Sequence, residues 1–443
     1  MIKNHAWLRP AGGIENEEKQ AREEGRAMDA ALIEGLRRAA QMPDSAERDA
    51  LSAELYARVQ ACPCANDAIE PSDLPAIRRL AKGNAKTAAP AGEALLDKIY
   101  GGWLARACGC LLGKPVEGWR TEKLHPFLRA TGNYPIQHYL RSDVSDSVLQ
   151  AAKLERIALE KRAFIDQVDC MPEDDDTNYT LIALKILETY GRDFAPEDVA
   201  ECWMQNLPIL HLCTAERVAY RNFAQGYEPP ASATHQNAYR EWIGAQIRVD
   251  LYGYVNPGDP AAAADMAWRD ACISHVKNGI YGAMWAAATI AAAFGAQTPR
   301  EAICAGMNEI PPESRLHRAL ADVFAWRAEG MDWEGALARV HERWDEHDGH
   351  DWCHTISNAQ IVAIALLWGE MDLEKTLNIA VIPGFDTDCN GATAGSILGV
   401  MLGAKALPEK WTAPLNDTLA SGVDGFGRVS IREMACRTAR FVP

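Results

Sequence analysis

Basic residues are in short supply. Against 61 Asp and Glu the 443-residue chain sets only 45 Lys and Arg, a formal net charge of −16. That balance argues against a nucleic-acid or anionic-membrane partner, either of which needs a basic face. It says less about substrate, because a bound cation adds positive charge that the count omits. Zinc spacing is absent too. Cys62-Pro-Cys64 and Cys108-Gly-Cys110 are close pairs, but no histidine or second pair stands at the distance a zinc site needs. The first residues, "MIKNHAWLRPAGG", lack the basic-then-apolar pattern of a secretory leader. The twelve cysteines are therefore expected as reduced thiols in a cytoplasmic protein. Membrane spans are not expected either. "GIYGAMWAAATIAAAFGA" is uncharged but mostly Ala and Gly, and "GATAGSILGVMLGAKAL" ends in lysine and follows two aspartates. Both read as helices in the middle of a protein core.

What the chain does have is apolar residues, 48% of the total, enough for a sizeable core. They recur at three- and four-residue steps in "EDVAECWMQNLPIL", "EGALARVHERWDEH", "SNAQIVAIALLWGE" and "LEKTLNIAV". Convincing alternating strands are missing, so the fold class is all-α. Residues 1–92 differ from the rest. "ENEEKQAREEGRAMDAALIEGLRRAAQ" and "SAERDALSAELYARVQA" are charged and amphipathic, with Met28, Leu32, Leu36 and Ala39 on one face. "KGNAKTAAPAGE" then reads as a linker. The expected organisation is an N-terminal helical extension over 1–92 and a helical body over 93–443. The extension could pack on the body, cover a cleft, or join two copies of the chain.

Three stretches carry chemistry. In "PEDDDTNYT" four carboxylates, Glu173 to Asp176, stand at the start of a helix that should end at Gly191. The helix dipole favours acids there, but four in a row exceed what capping needs, and carboxylate oxygens suit hard divalent cations. In "PGFDTDCNGATAGSILGVMLGAKAL", Asp386 and Asp388 precede Gly391, Gly395, Gly399 and Gly403 at four-residue steps. Each helical glycine costs about 1 kcal/mol relative to alanine, which close approach of another helix would offset. In "DKIYGGWLARACGCLLGKPVEGW", a small-residue helix leads into a turn carrying Glu117. If the two acidic helix starts pack side by side, they offer enough oxygens for two ions roughly 3.5–4 Å apart.

Taken in order, these stretches resemble the ADP-ribosylglycohydrolase family, which is all-helical with a dinuclear Mg²⁺/Mn²⁺ centre. "GCLLGKPVEGW" is similar to its Gly-Asp-x-x-Gly-x-x-x-Glu segment, "DDDT" to Thr-Asp-Asp-Thr, and "GFDTDCNGATAG" to Gly-Gly-Asp-Thr-Asp-Thr-Asn. The likeness runs from near Asp97 to the C-terminal region and leaves the extension outside. Carried over by position, it makes Asp175, Asp176, Asp386 and Asp388 metal ligands and Glu117 the substrate-side glutamate. Asp174 and Cys389 stand where the family has threonines that serve the metals, Cys110 replaces an aspartate, and Phe385 replaces a glycine. His275 matches a family histidine that could face the cleft, and a histidine capping or filling the core is the other reading.

The resemblance implies a hydrolase that cleaves a glycosidic bond to ribose with two divalent cations, Mg²⁺ or Mn²⁺, with Ca²⁺ also admitted by the extra carboxylate of Asp174. Asp175 would act as base. The family's Gly/Asn-rich diphosphate loop is missing from "SATHQNAYREWIGAQIRVDLYGYVNPG", which reads instead as a small-residue helix carrying Arg248. The expected partner is a small ribosyl substrate or an ADP-ribosyl adduct, with a small N-ribosyl compound or nucleoside a serious contender over an ADP-ribosylated protein. A dinuclear phosphohydrolase and a silent protein whose ions only tie helices together are the rival readings.

Overall fold

A computed structural model describes residues 7–160 and 162–443. Helices dominate it. The described residues form only one sheet, an antiparallel pair, Thr418–Ala420 with Arg428–Ser430. Many helices start on a side-chain cap: Asp29, Ser45, Asp259, Thr298, Ser314, Asp332 and Asp372 each accept a backbone N–H of the first turn. The four apolar-periodic stretches become the helices Pro196–Asn206, Trp333–Arg343, Thr355–Trp368 and Leu373–Val381. The alanine-rich stretch becomes Lys277–Ala293, buried along its whole length. No described helix is long and apolar enough to cross a membrane.

The centre of the body is the crossing of two helices, Gly92–Gly113 and Thr387–Leu402. Their backbones nearly touch. A Cβ built on Gly109 would lie 1.9 Å from the Gly391 carbonyl oxygen, and one on Gly395 would lie 2.3 Å from that of Ala105. The costly glycines are thus explained by backbone-to-backbone packing that no larger residue permits. Gly403 is the exception to the four-residue series. It ends the helix with φ +78°, a left-handed conformation suited to glycine. At the other end, the Thr387 hydroxyl donates to the Gly113 carbonyl at 2.9 Å, which pins both helix termini together.

The extension forms Ile14–Glu23, Ala30–Gln41 and Ala46–Ala61 around a small core of its own that includes Leu32, Leu36, Ala39 and Tyr56. Met28 packs on that core from the turn before the second helix rather than from within it. Of the arrangements open to the extension, the structure shows packing on the body. Arg240 pairs with Glu17 and Glu24, and Arg315 with Glu70 and Glu241, in sites from which these carboxylates are wholly buried. Glu23 meets two histidines of the body. The His350 Nδ1 accepts the Trp242 indole N–H at 3.1 Å, and the His354 Nδ1 accepts the Ile356 amide at 3.1 Å. With each Nδ1 accepting, each Nε2 faces the Glu23 carboxylate, at 3.3 Å in a hydrogen bond from His350 and at 3.5 Å in a looser contact from His354. The trio is a clamp of one hydrogen bond and one looser contact, and with each Nδ1 accepting, neither Nε2 keeps a lone pair for a cation. The 82–91 segment is extended, as a linker should be, but Asn84 and Thr87 tie it to the body through Ala305 and Gly258.

The stretches "AERVAYRNF" and "REWIGAQIR" set Arg, Glu, Trp and Tyr at helical spacing, a pattern open to a polar substrate wall or ordinary surface. They are neither: Glu216, Arg217, Arg240, Glu241 and Trp242 are buried. The stretch around Arg248 is a 3-10 turn, Ile243–Arg248, and a short helix, Asp250–Tyr254, rather than one small-residue helix.

Candidate functional site

Three chain segments bring carboxylates to the mouth of the glycine crossing. Asp174 is the N-cap of the helix Asp175–Tyr190, its side chain accepting the Asp176 amide at 2.9 Å. That helix ends at Gly191 as the sequence predicts. Its entry is held by Met171, which pairs with the Thr418–Ala420 strand through hydrogen bonds of 3.0 and 2.8 Å. Asp386 and Asp388 flank the start of Thr387–Leu402. The Asn358 side chain receives the Asp386 amide at 3.3 Å and the Asn390 amide group at 2.8 Å, fixing that loop. Glu117 follows the first glycine helix in a turn whose backbone the Arg162 guanidinium grips at Pro115 and Glu117.

Asp174, Asp176, Asp386 and Asp388 are all buried, Asp175 is partly exposed, and Glu117 opens to solvent. The cations among them are few. Lys114 binds Asp174 at 2.5 Å, and Arg106 lies 3.1 Å from both Asp176 and Asp250. The Lys114 ammonium outweighs the effect of burial and holds Asp174 below its ordinary range. The others go the opposite way. Burial, then the charges of neighbouring acids, pushes Asp175 and Asp388 well above the usual carboxylate range. Asp176 rises as well, because burial and Asp174, Asp386 and Asp250 overcome Arg106. Glu117, its carboxyl end set among protein atoms beside Asp386 and Asp174, is pushed up to about 7.

Cysteines surround the same carboxylates. Cys110 Sγ is 3.9 Å from Asp176 Oδ2, and the Cys353 thiol donates to Asp386 Oδ2 at 3.2 Å. Two trios, Cys110 with Asp174 and Asp176, and Asp386 with Asp388 and Cys389, have ligand atoms within 4.8 Å of one another. A divalent cation fits this donor set on two grounds. The carboxylates outnumber the cations, and Asp388 Oδ1 is buried with no hydrogen-bond partner among the described residues.

Of the residues singled out from sequence, Glu117, Asp174, Asp175, Asp176, Asp386, Asp388 and Cys389 converge. His275 does not join them. Its Nδ1 hydrogen-bonds Ser274 Oγ at 2.9 Å, and its ring belongs to the buried Arg248–Glu216–Asp270 network. It lines a different cavity of ≈ 720 Å³ with Ser72, Trp268 and Lys277, between the extension and the body. Sequence reading missed Lys114, Arg106, Asp250 and Cys353. Lys114 sits inside the quoted "GKPVEGW", where its spacing from Glu117 was visible but its partner was not.

Phe385 shows how the chain absorbs one departure from the family pattern. It adopts φ +56°, a left-handed conformation that glycine takes freely and a bulky residue seldom does. The ring is fully buried and packs on His341 at a centroid distance of 5.0 Å, which offsets the strain.

The family model for ADP-ribosylglycohydrolase matches residues 91–439. The chain belongs to the ADP-ribosylglycohydrolase family. Among solved structures, an ADP-ribosylglycohydrolase-related protein complex superposes with a TM-score of 0.51 at 19% identity, over 80% of this chain and 100% of that one. This likeness establishes a shared fold. No curated protein matches the chain. The all-α architecture is that of the family, and membership supports a glycohydrolase.

Proposed function

We propose that the chain is a divalent-cation-dependent hydrolase that cleaves a glycosidic bond to ribose. The observation that carries this reading is the gathering of six carboxylates from three segments around a buried, unpartnered Asp388 oxygen. Asp174, Asp175, Asp176, Asp386 and Asp388 would hold two cations. When bound, these would supply Lewis-acid polarisation of the ribose hydroxyls and of the attacking water.

The chain's own residues account for the proton transfers. Asp175, the partly exposed member of the acidic run, is placed to take a proton from water. Glu117, at about 7, can hold a proton near neutrality and give it to the departing group. The remaining carboxylates stabilise positive charge as it develops at the sugar C1. Arg106, buried behind Asp176, keeps that ligand oriented.

The substrate we infer is a small N-ribosyl compound or nucleoside. The segment expected to carry a diphosphate-cradling loop is instead a buried 3-10 turn whose Arg248 is bound to Glu216, Asp270 and Ser274. A phosphohydrolase would need free basic groups at the cations, and Lys114 is bound to Asp174. The test is product analysis with nucleosides, ADP-ribose, ADP-ribosyl-arginine and phosphate esters in the presence of divalent cations. Release of ribose or ADP-ribose, lost in Glu117→Gln with cation binding intact, supports the reading. Phosphate release, or turnover unaffected by Glu117→Gln, contradicts it.

A further inference from the structure

The hard-ligand pattern of the aspartates is broken twice, and both breaks are thiols at the site. We propose that the two cation positions are mixed carboxylate–thiolate sets, Cys110 with Asp174 and Asp176, and Cys389 with Asp386 and Asp388. They would therefore prefer borderline ions such as Zn²⁺, Co²⁺ or Fe²⁺ to Mg²⁺ and Ca²⁺. This rests on the reading that the cluster binds divalent cations.

Geometry is the first support. In each trio the sulfur and carboxylate oxygens lie within 4.8 Å of one another, and Cys110 Sγ is 3.9 Å from Asp176 Oδ2. A sulfur about 2.3 Å and an oxygen about 2.1 Å from one tetrahedral ion stand roughly 3.5 Å apart, so little movement is needed. The second support is the fate of Asp174. Its extra carboxylate would harden the site, but Lys114 on Oδ2 and the Asp176 amide on Oδ1 leave each oxygen only one lone pair and weaken it as a donor. The third is the unpartnered, buried Asp388 Oδ1, one residue from Cys389 and in the same trio. Soft thiolates select Zn²⁺ and its neighbours, whereas carboxylate-only sites suit Mg²⁺, Ca²⁺ and Mn²⁺. On coordination each thiol releases its proton to solvent and its lone pair forms the metal–sulfur bond, so the step balances without oxidant or reductant.

The test uses the full-length protein. Zinc X-ray absorption on the wild type should show sulfur near 2.3 Å beside oxygen at about 2.0–2.2 Å. Titration with Co²⁺ should raise a near-ultraviolet thiolate-to-cobalt band within the first two equivalents. That band should vanish in Cys110→Ser/Cys389→Ser and persist in Cys62→Ser/Cys64→Ser, whose thiols lie in the extension. Zn²⁺ affinity of the former variant should fall at least tenfold, while Mg²⁺ affinity changes by less than about threefold. An all-oxygen zinc shell in the wild type, or a cobalt band that survives in Cys110→Ser/Cys389→Ser, overturns the proposal. Should that variant not fold, the wild-type absorption spectrum decides alone. Mg²⁺ or Mn²⁺ bound tightly with an all-oxygen zinc shell sinks only the thiolate assignment. Failure of every divalent ion to bind sinks the parent reading with it.

Discussion

Gly395→Ala is expected to destabilise the protein although it improves helix propensity. The substitution sits in the interior of Thr387–Leu402, where alanine is better than glycine by about 1 kcal/mol. The added methyl, however, would stand 2.3 Å from the Ala105 carbonyl oxygen and 2.9 Å from its carbon. Carbon–oxygen contacts settle near 3.3 Å, so the two helices must part by roughly 1 Å. Overpacked cores lose 1–3 kcal/mol even where side chains can turn away. Here the obstacle is main chain, which places the cost near the upper end, about 3 kcal/mol. The net expectation is a loss of about 2 kcal/mol in urea unfolding. Because the same crossing sets where Arg106, Cys110 and Lys114, the partners of Asp176 and Asp174, stand relative to Asp386 and Asp388, cation affinity should fall as well. Gly349→Ala is the control: its Cβ would meet only the Asn16 side chain, at 3.7 Å, and stability should hold within about 0.5 kcal/mol. A stable, normally binding Gly395→Ala would refute the close-crossing argument.

Other outcomes follow from the same packing and charges. Glu117, Asp175, Asp176 and Asp388 hold protons in the fold that the unfolded chain has already released. Chelated protein should thus lose thermal stability as pH rises from about 4.5 to about 7, between the ordinary carboxylate range and the folded-state value of Glu117. Saturating divalent cation should flatten that slope; a slope unchanged by cation would count against the site. Glu23→Ala should cost ~1.5–3 kcal/mol in chemical unfolding, since the hydrogen bond from the buried His350 ring to a charged group is lost. Burial would push Glu23 up, but the His350 hydrogen bond, His354 and Arg315 bring it down to about 2. Its contribution is present above about pH 4.5 and lost as pH falls toward 2, so the mutant and wild type should converge in acid. Phe385→Gly should relieve the left-handed strain yet remain destabilising by about 2 kcal/mol or more, because removing a buried phenylalanine costs more than one strained backbone contributes; equal or greater stability would show that the ring packs poorly.

The helices were legible because their apolar spacing and capping residues act locally, and the glycine steps of 391, 395 and 399 announced a close neighbour without naming it. The neighbour, Gly101–Gly109, lies almost three hundred residues away, and only the fold pairs them. The same limit explains the site. Each acidic run was visible, whereas Lys114 on Asp174, Arg106 between Asp176 and Asp250, and Cys353 on Asp386 are contacts between distant segments. His275 looked like a site residue because its neighbours in sequence matched the family. In the fold its ring turns toward Ser274 and the Arg248 network. The charged stretches around Arg240 and Glu216 stayed open in the sequence for another reason: polarity predicts exposure unless each charge finds a partner, and here Arg240 finds Glu17 and Glu216 finds Arg248. The short strand pair had no alternating pattern to detect, being three residues a side.

Equilibrium dialysis with elemental analysis of the chelated and then metal-replenished chain bears most directly on the site. Two divalent ions per wild-type chain, and at most one in Asp388→Asn with its helical content intact, are expected. A wild-type chain that retains none, or an Asp388→Asn chain that retains both, would contradict the assignment of these carboxylates to cations.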